Sequence, residues 1–228
     1  MLLLLVPFIG RAQFVIGWSG GYASPHELNR TIYLFNTQYS DILRDEMKPV
    51  HWYQGLITGF RSSKDDGVFV ELLYNRKRAL VSGSYDSAGV EMVHELKVLS
   101  NTWNFGIGVK NGNVSLGMSF DAGRFKGKGR VGTASEIGSK EFERLWVQDN
   151  TILLGIHIFK LYMASTAFVE FTAGNFIGLR FYFQYAFTKN QMEGLDPWLL
   201  GRRINFADFM LDKFTSGGVA LTLNIGGR

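Results

Sequence analysis

The chain has 228 residues, enough for one domain of ordinary size, and contains no cysteine, which excludes a disulfide scaffold and a thiolate metal site. Hydrophobic residues make up 46% and aromatics 14%, yet no apolar run approaches the roughly 20 residues of a transmembrane helix, so any membrane passage has to be made by strands. The net charge of +4 arises from 24 Lys and Arg offset by 20 Asp and Glu, too even a balance to point to nucleic acid as a partner.

The N-terminus, "MLLLLVPFIGRAQ", carries an apolar stretch from Leu2 to Ile9 and small residues at Gly10 and Ala12, the pattern of an export signal cleaved before Gln13. This predicts a signal peptide over residues 1–12 and a mature chain over 13–228, although the basic segment that normally precedes the apolar core is missing. From there Phe14, Ile16, Trp18 and Tyr22 alternate with Gln13, Gly17, Ser19 and Gly21, the period of two that marks a strand. Residues 24–46 then change to helical spacing. Ser24 is placed as N-cap, Pro25 at the first helical position and Glu27 as the partner in a capping box, while Leu28, Ile32, Phe35, Tyr39 and Ile42 form one apolar face. That face either covers the mouth of a barrel or offers Phe35, Tyr39 and Ile42 to a partner protein. The "NRT" at Asn29 matches a glycosylation sequon and is read as chance.

Further strands are expected over Trp52 to Ser62, Val68 to Arg76, Met92 to Val109, Val114 to Phe120, Ile152 to Ile158, Phe168 to Lys189 and Val219 to Ile225. The parity of Met92 to Val109 changes near Val98 and Leu99, which predicts a β-bulge. Asp65-Asp66-Gly67 sets Phe60 opposite Leu72 and Arg61 opposite Glu71. Asn111-Gly112, read as a type I′ turn, sets Val109 opposite Val114 and Ile107 opposite Leu116. A turn at Ser165-Thr166 brings Leu154 beside Ile177. Longer connections are expected over Ala23 to Pro49, Leu80 to Val90, Phe125 to Arg144 and Asn190 to Phe214, with a second helix at Ile204 to Phe214.

The parity rows decide which face meets water. In "FVEFTAGNFIGLRFYFQYAFTK" the odd row is apolar, whereas the even row is mostly Gly, Thr, Ala and Gln with few charges. A soluble barrel would put the apolar row inside and charges outside; small polar residues suit a cramped lumen and an apolar row suits lipid. The expected fold is all-β: a closed antiparallel transmembrane β-barrel of about eight strands with a helix in the first external loop. Short turns at one end and long loops at the other place both termini in the periplasm, with Trp18, Tyr22, Trp52 and Trp146 as an outer aromatic girdle. The export signal ending "GRAQ", the hairpin alternation and segments such as "VELLYNRKR" resemble small outer-membrane barrels of the OmpA/OmpX-like type, particularly those of Bacteroidota. That resemblance spans Gln13 to Arg228 and implies the outer membrane of a Gram-negative bacterium, with outer-membrane lipid as surroundings. One departure is the ending "NIGGR", where many such barrels end in an aromatic residue.

No catalytic motif is evident. The four His (His26, His51, His94 and His157) lack an obvious serine–carboxylate pairing, and Glu95 points away from His94 because neighbouring strand residues face opposite ways. The expectation is a non-enzymatic barrel without cofactor or metal, structural or an accessory subunit of a larger outer-membrane assembly; the alternatives are a lipid A-modifying enzyme and a soluble lipocalin-like ligand-binding barrel. Arg61, Glu71, Asp121, Glu170 and Arg180 are expected as an interior charge network, and Arg124, Lys126, Lys128 and Arg130, placed in a loop at the outer rim, as candidate contacts to lipopolysaccharide.

Overall fold

Strands that keep one face small and polar close on each other when both edges pair. The computed structural model describes residues 12–62, 66–147, 151–153, 156–159, 161–174, 176–192, 194–201 and 211–226. In chain order the elements are β1 (Ala12–Ala23), α1 (His26–Gln38), β2 (Leu43–Asp45), β3 (Trp52–Ser62), β4 (Gly67–Ser87), β5 (Val90–Asn111), β6 (Val114–Thr133), β7 (Glu143–Val147), β8 (Thr151–Leu153), β9 (Ile156–Phe159), β10 (Tyr162–Ala173), β11 (Ile177–Ala186), β12 (Lys189–Gln191), α2 (Leu195–Leu200), β13 (Leu211–Asp212) and β14 (Ser216–Ile225). Eight of the strands form a closed antiparallel ring, β1-β3-β4-β5-β6-β10-β11-β14 and back to β1. β2 and β7 flank β4 and β6, and β8, β9, β12 and β13 make a separate small sheet. Most of the expected export signal lies outside the described residues.

Along each ring strand the parity reading holds. Ile177, Leu179, Phe181 and Phe183 face outward and are exposed, while Gly178, Arg180 and Gln184 point inward and are buried. The pairings Phe60↔Leu72 and Arg61↔Glu71 are as the Asp-Asp-Gly turn requires. Other connections differ. Phe168 to Lys189 is not one strand but the hairpin β10–β11, turning after Ala173 and pairing Ala173 with Ile177. Ser165 and Thr166 lie inside β10, paired with Tyr185 and Gln184. Ile152 to Ile158 is no ring strand: it is split between β8 and β9, with His157 paired to Ile152. The β5–β6 turn is centred on Gly112-Asn113, with Gly112 at φ 57°, so Val109 pairs with Leu116 and Ile107 with Met118. A type II′ turn, with Gly first, competes with the type I′ turn that Asn-Gly favours; here the Gly112 N–H donates to the Asp66 carboxylate at 2.6 Å.

The expected bulge at Val98 and Leu99 does not form, since β4 and β5 pair without a shift from Ser87↔Val90 to Gly67↔Lys110. What changes there is the surroundings. Below that level β5 points Asn104 and Thr102 inward and Trp103, Phe105 and Ile107 outward; above it, Val98, Leu96 and His94 are inward and Leu99, Lys97 and Glu95 outward. The same reversal occurs on β6, where Phe125 is buried and Arg124 exposed. Thus β4, β5 and β6 run beyond the apolar band as an ordinary water-exposed sheet covering an apolar core, and the segments Leu80 to Val90 and Phe125 to Thr133 are largely strand rather than loop.

That second core lies at the mouth of the ring. α1 buries Leu28, Ile32 and Phe35 against Leu96, Val98, Met47, Tyr53, Phe125 and Phe214, together with Leu195 and Leu199 of α2. Pro25, not Ser24, is the N-cap residue, with ψ 111° and no side-chain cap; Glu27 instead bonds to His26 and Arg30. The second helix precedes the expected one: residues 204–210 lie outside the described residues, Leu211–Asp212 is a strand, and the helix that packs on α1 is Leu195–Leu200. Trp146 is buried with its ring against Gly127 and is not part of the girdle, whereas Trp18 and Trp52 are exposed and 6.2 Å apart.

Candidate functional site

At the turn end of the ring, two hairpins each bring an Arg and a Glu inward at paired positions, Arg61↔Glu71 and Glu170↔Arg180. The four side chains form a closed square of alternating charge. Arg61 Nη2 donates to Glu71 Oε2 and Glu170 Oε2, both at 2.8 Å, and Nη1 contacts Glu170 Oε1. Arg180 donates through Nη1 and Nη2 to Glu71 at 2.8 and 2.7 Å and through Nε to Glu170 at 2.8 Å. The Arg180 guanidinium lies 3.8 Å from the centre of the Phe168 ring and that of Arg61 5.0 Å from Phe69. Gly106 and Gly178 make room: a Cβ at Gly106 would lie 2.6 Å from Glu71 Cγ, and one at Gly178 3.1 Å from Glu170 Oε1. Every charge has a partner of opposite sign, which is how ionic groups survive away from water.

Asp121, expected in the same network, is separate. Its carboxylate accepts hydrogen bonds from Asn104, from Ser119 and Gln184 at 2.7 Å, and from Thr166. Higher still, Lys77 donates to the Tyr182 hydroxyl at 2.6 Å, and that hydroxyl donates to the Gly20 carbonyl at 2.9 Å. From the turn end to mid-height these polar groups share the lumen with the buried apolar cluster of Val15, Ile57 and Leu73, leaving a residual cavity of about 30 Å³.

The candidate docking helix is largely turned the other way. Phe35 is completely buried, and Tyr39 stacks on Tyr85 with ring centres 4.1 Å apart; Ile42 remains exposed. Of the two uses expected for this face, covering the mouth is the one for which Phe35 and Tyr39 are placed. Two asparagines that the sequence left unexplained strap the following segment to α1. Asn29 exchanges two hydrogen bonds with the Val50 backbone, at 3.2 and 2.7 Å, and Asn36 two with Met47, both at 3.0 Å. The Asn29 amide is thereby occupied by protein, consistent with a chance sequon. Replacing Phe35 with Ala is expected to cost about 3–5 kcal/mol, since a buried aromatic is lost and the cavity is left open; urea unfolding checks it.

His94 sits under this cover, its ring centre 5.2 Å from those of Phe35 and Trp198 and 5.7 Å from that of Tyr85, with Nδ1 unpartnered. Burial pushes its imidazole down to about 4. As pH falls from the ordinary histidine value near 6.5, the unfolded chain gains a proton that the folded one refuses, so stability is lost until about pH 4, where the folded state also protonates. The expected loss across that window is about 3 kcal/mol. Unfolding measured against pH checks it, because His94→Phe should remove that part of the pH dependence.

The basic cluster is a strand face, not a loop. Arg124, Lys126, Lys128 and Arg130 are alternate residues of β6 pointing outward, and the intervening glycines point inward beneath indole rings, Gly127 under Trp146 and Gly129 under Trp198. Register places Lys97 beside Lys128 and Leu99 beside Lys126 on β5, while β4 contributes Arg76 and Arg78 on the same outer face. Arg130 is neutralised by Glu95, 2.7 Å away. Arg76, Arg78 and Lys97 were legible as members only through their parity, which continues the outward row of each strand.

No protein-family model matches the sequence, and no curated protein matches it. Among solved structures the chain is similar to Ail, the attachment invasion locus protein of Yersinia pestis. The structure of Ail in complex with the heparin analogue sucrose octasulfate aligns with TM-score 0.43 and 10% identity over 94% of this chain and 97% of that one. A second structure of Ail aligns with TM-score 0.41 and 10% identity over the same shares.

Proposed function

We propose that this chain is a non-enzymatic outer-membrane β-barrel that serves as a structural or accessory subunit in the bacterial outer membrane, its termini on the periplasmic side. The observation that carries this reading is the outer face of the ring. Leu56, Phe105, Ile107, Leu116, Leu179 and Leu221 represent a band of exposed apolar side chains that runs around it, flanked by Trp18, Trp52 and Trp103. Such a surface in water invites aggregation, whereas hydrocarbon covers it at no cost. The soluble-barrel alternative requires the opposite arrangement, an apolar lumen within a charged exterior. A filled lumen supports a role at the surface rather than in conduction, and the enclosure of His94 among aromatic rings supports the non-enzymatic reading.

In this reading, outer-leaflet lipopolysaccharide surrounds the upper half of the barrel, and Arg124, Lys126 and Lys128 meet its phosphates. The long-connection end, with its helical cover, faces outward. Refolding into vesicles tests the membrane placement: the folded protein should migrate differently before and after boiling, and lipid-borne quenchers should reach a probe at Leu179 but not one at Gln184. Quenching at Gln184 and protection at Leu179 would reverse the assignment of faces. Copurification from native membranes tests the accessory role.

A further inference from the structure

A cavity of about 560 Å³ opens on the outside of the ring, between residues 48–54 and the outward faces of β4, β5 and β6. Lys48, Arg78, Lys97 and Arg130 line it, with Glu95 as the acid among them. Because Glu95 is engaged by Arg130, no carboxylate forms an ion pair with Lys48, Arg78 or Lys97 among the described residues. The remaining lining is mostly apolar, with His51 and Gln54 as its polar members: Trp52 and Leu80 are both about half exposed, and Phe142 lies under Lys97 and Arg130. Below Trp52 the same outward row of β3 continues through Leu56 and Phe60 into the apolar band.

We propose that this cavity holds the phosphorylated headgroup of a membrane lipid, with the acyl chains running down the row beneath Trp52. This rests on the membrane reading above. Three cations that form no ion pair among the described residues call for an anion, and one guanidinium fork with two ammonium groups suits the several oxygens of a phosphate. The volume leaves room for a phosphate together with its glycerol and the first part of the acyl chains. Continuity with the apolar band selects a lipid over a free anion, since the same ligand then satisfies both the cations and the exposed Trp52 and Leu80.

The test uses the full chain refolded into nanodiscs of equal phosphatidylcholine and phosphatidic acid, with retained lipid read by native mass spectrometry. Phosphatidic acid is expected to be retained in preference to phosphatidylcholine. The triple variant K48Q/R78Q/K97Q should weaken that preference about a hundredfold, three cations near a membrane surface each contributing about a factor of five. R30Q/R44Q/K213Q, which removes the same charge at surface positions that do not line the cavity, should largely keep it. Equal loss in both triple variants, or no loss in the first, overturns the cavity assignment while the membrane reading stands. Displacement of the lipid by water-soluble glycerol phosphate at equal concentration would make this a free-phosphate site and overturn the lipid assignment. A chain that stays in solution without detergent overturns the membrane reading and this proposal with it.

Discussion

Replacing Glu170 with Gln is expected to destabilise the protein by about 3–5 kcal/mol, because it leaves two buried guanidiniums sharing one carboxylate. Glu170 accepts from both Arg61 and Arg180 and is completely buried, as is Glu71 across the square. Gln fills the same space as Glu, so the packing against Gly178 is kept and what is lost is the negative charge between the two guanidiniums. Removing Arg180 together with Glu170 restores neutrality and leaves the Arg61–Glu71 pair intact. The double variant E170Q/R180Q should therefore cost less than the sum of the singles, by about 0.5–3 kcal/mol. Urea unfolding of the four proteins measures the coupling, and strict additivity would contradict a cooperative square. The square ties the β3–β4 hairpin to the β10–β11 hairpin across the lumen.

Lysine at position 179 has the second large effect expected. Leu179 points outward between Phe171 and Leu221 on the neighbouring strands, while Arg180 beside it points into the square. Leu179 is the second outward residue after the β10–β11 turn, between the turn end and the middle of the band, so in a bilayer the new ammonium group should cost about 1–3 kcal/mol. A ring surrounded by water would accept the same substitution with little change, since a lysine on an exposed strand face is ordinarily harmless. Unfolding from lipid vesicles separates the two: an unchanged urea midpoint for Leu179→Lys would sink the placement in lipid, however well the protein folds.

What the sequence determined was the face of each side chain. Side chains alternate strictly along a strand, so the apolar and small polar rows of β1, β3, β5, β6, β11 and β14 were legible residue by residue, and the Arg61–Glu71 pair followed from a turn of known length. Parity cannot distinguish arrangements that differ by an even number of residues. This is why the β5–β6 register was offset by two, and why the β10–β11 hairpin, whose turn preserves parity, passed for one long strand. The count of strands still came out the same, because the split of that segment compensated for Ile152 to Ile158, which belongs to the small sheet.

Only the tertiary structure decided what lies on either side of each face. The sign change at Val98 and Leu99 looked like a bulge in the strand, but it records that the outward and inward rows exchange polarity where the strands leave the apolar band. The joining of Glu170 and Arg180 to Arg61 and Glu71 depends on ring closure, which brings residues 109 positions apart within hydrogen-bond distance. The same holds for the mouth, where the helical spacing of Leu28, Ile32 and Phe35 announced an apolar face, and closure of the ring supplied the core of Leu96, Val98 and Phe125 that buries it. Local periodicity is a property of neighbouring residues, whereas an ionic square or a covered mouth exists only once strands distant in the chain are side by side.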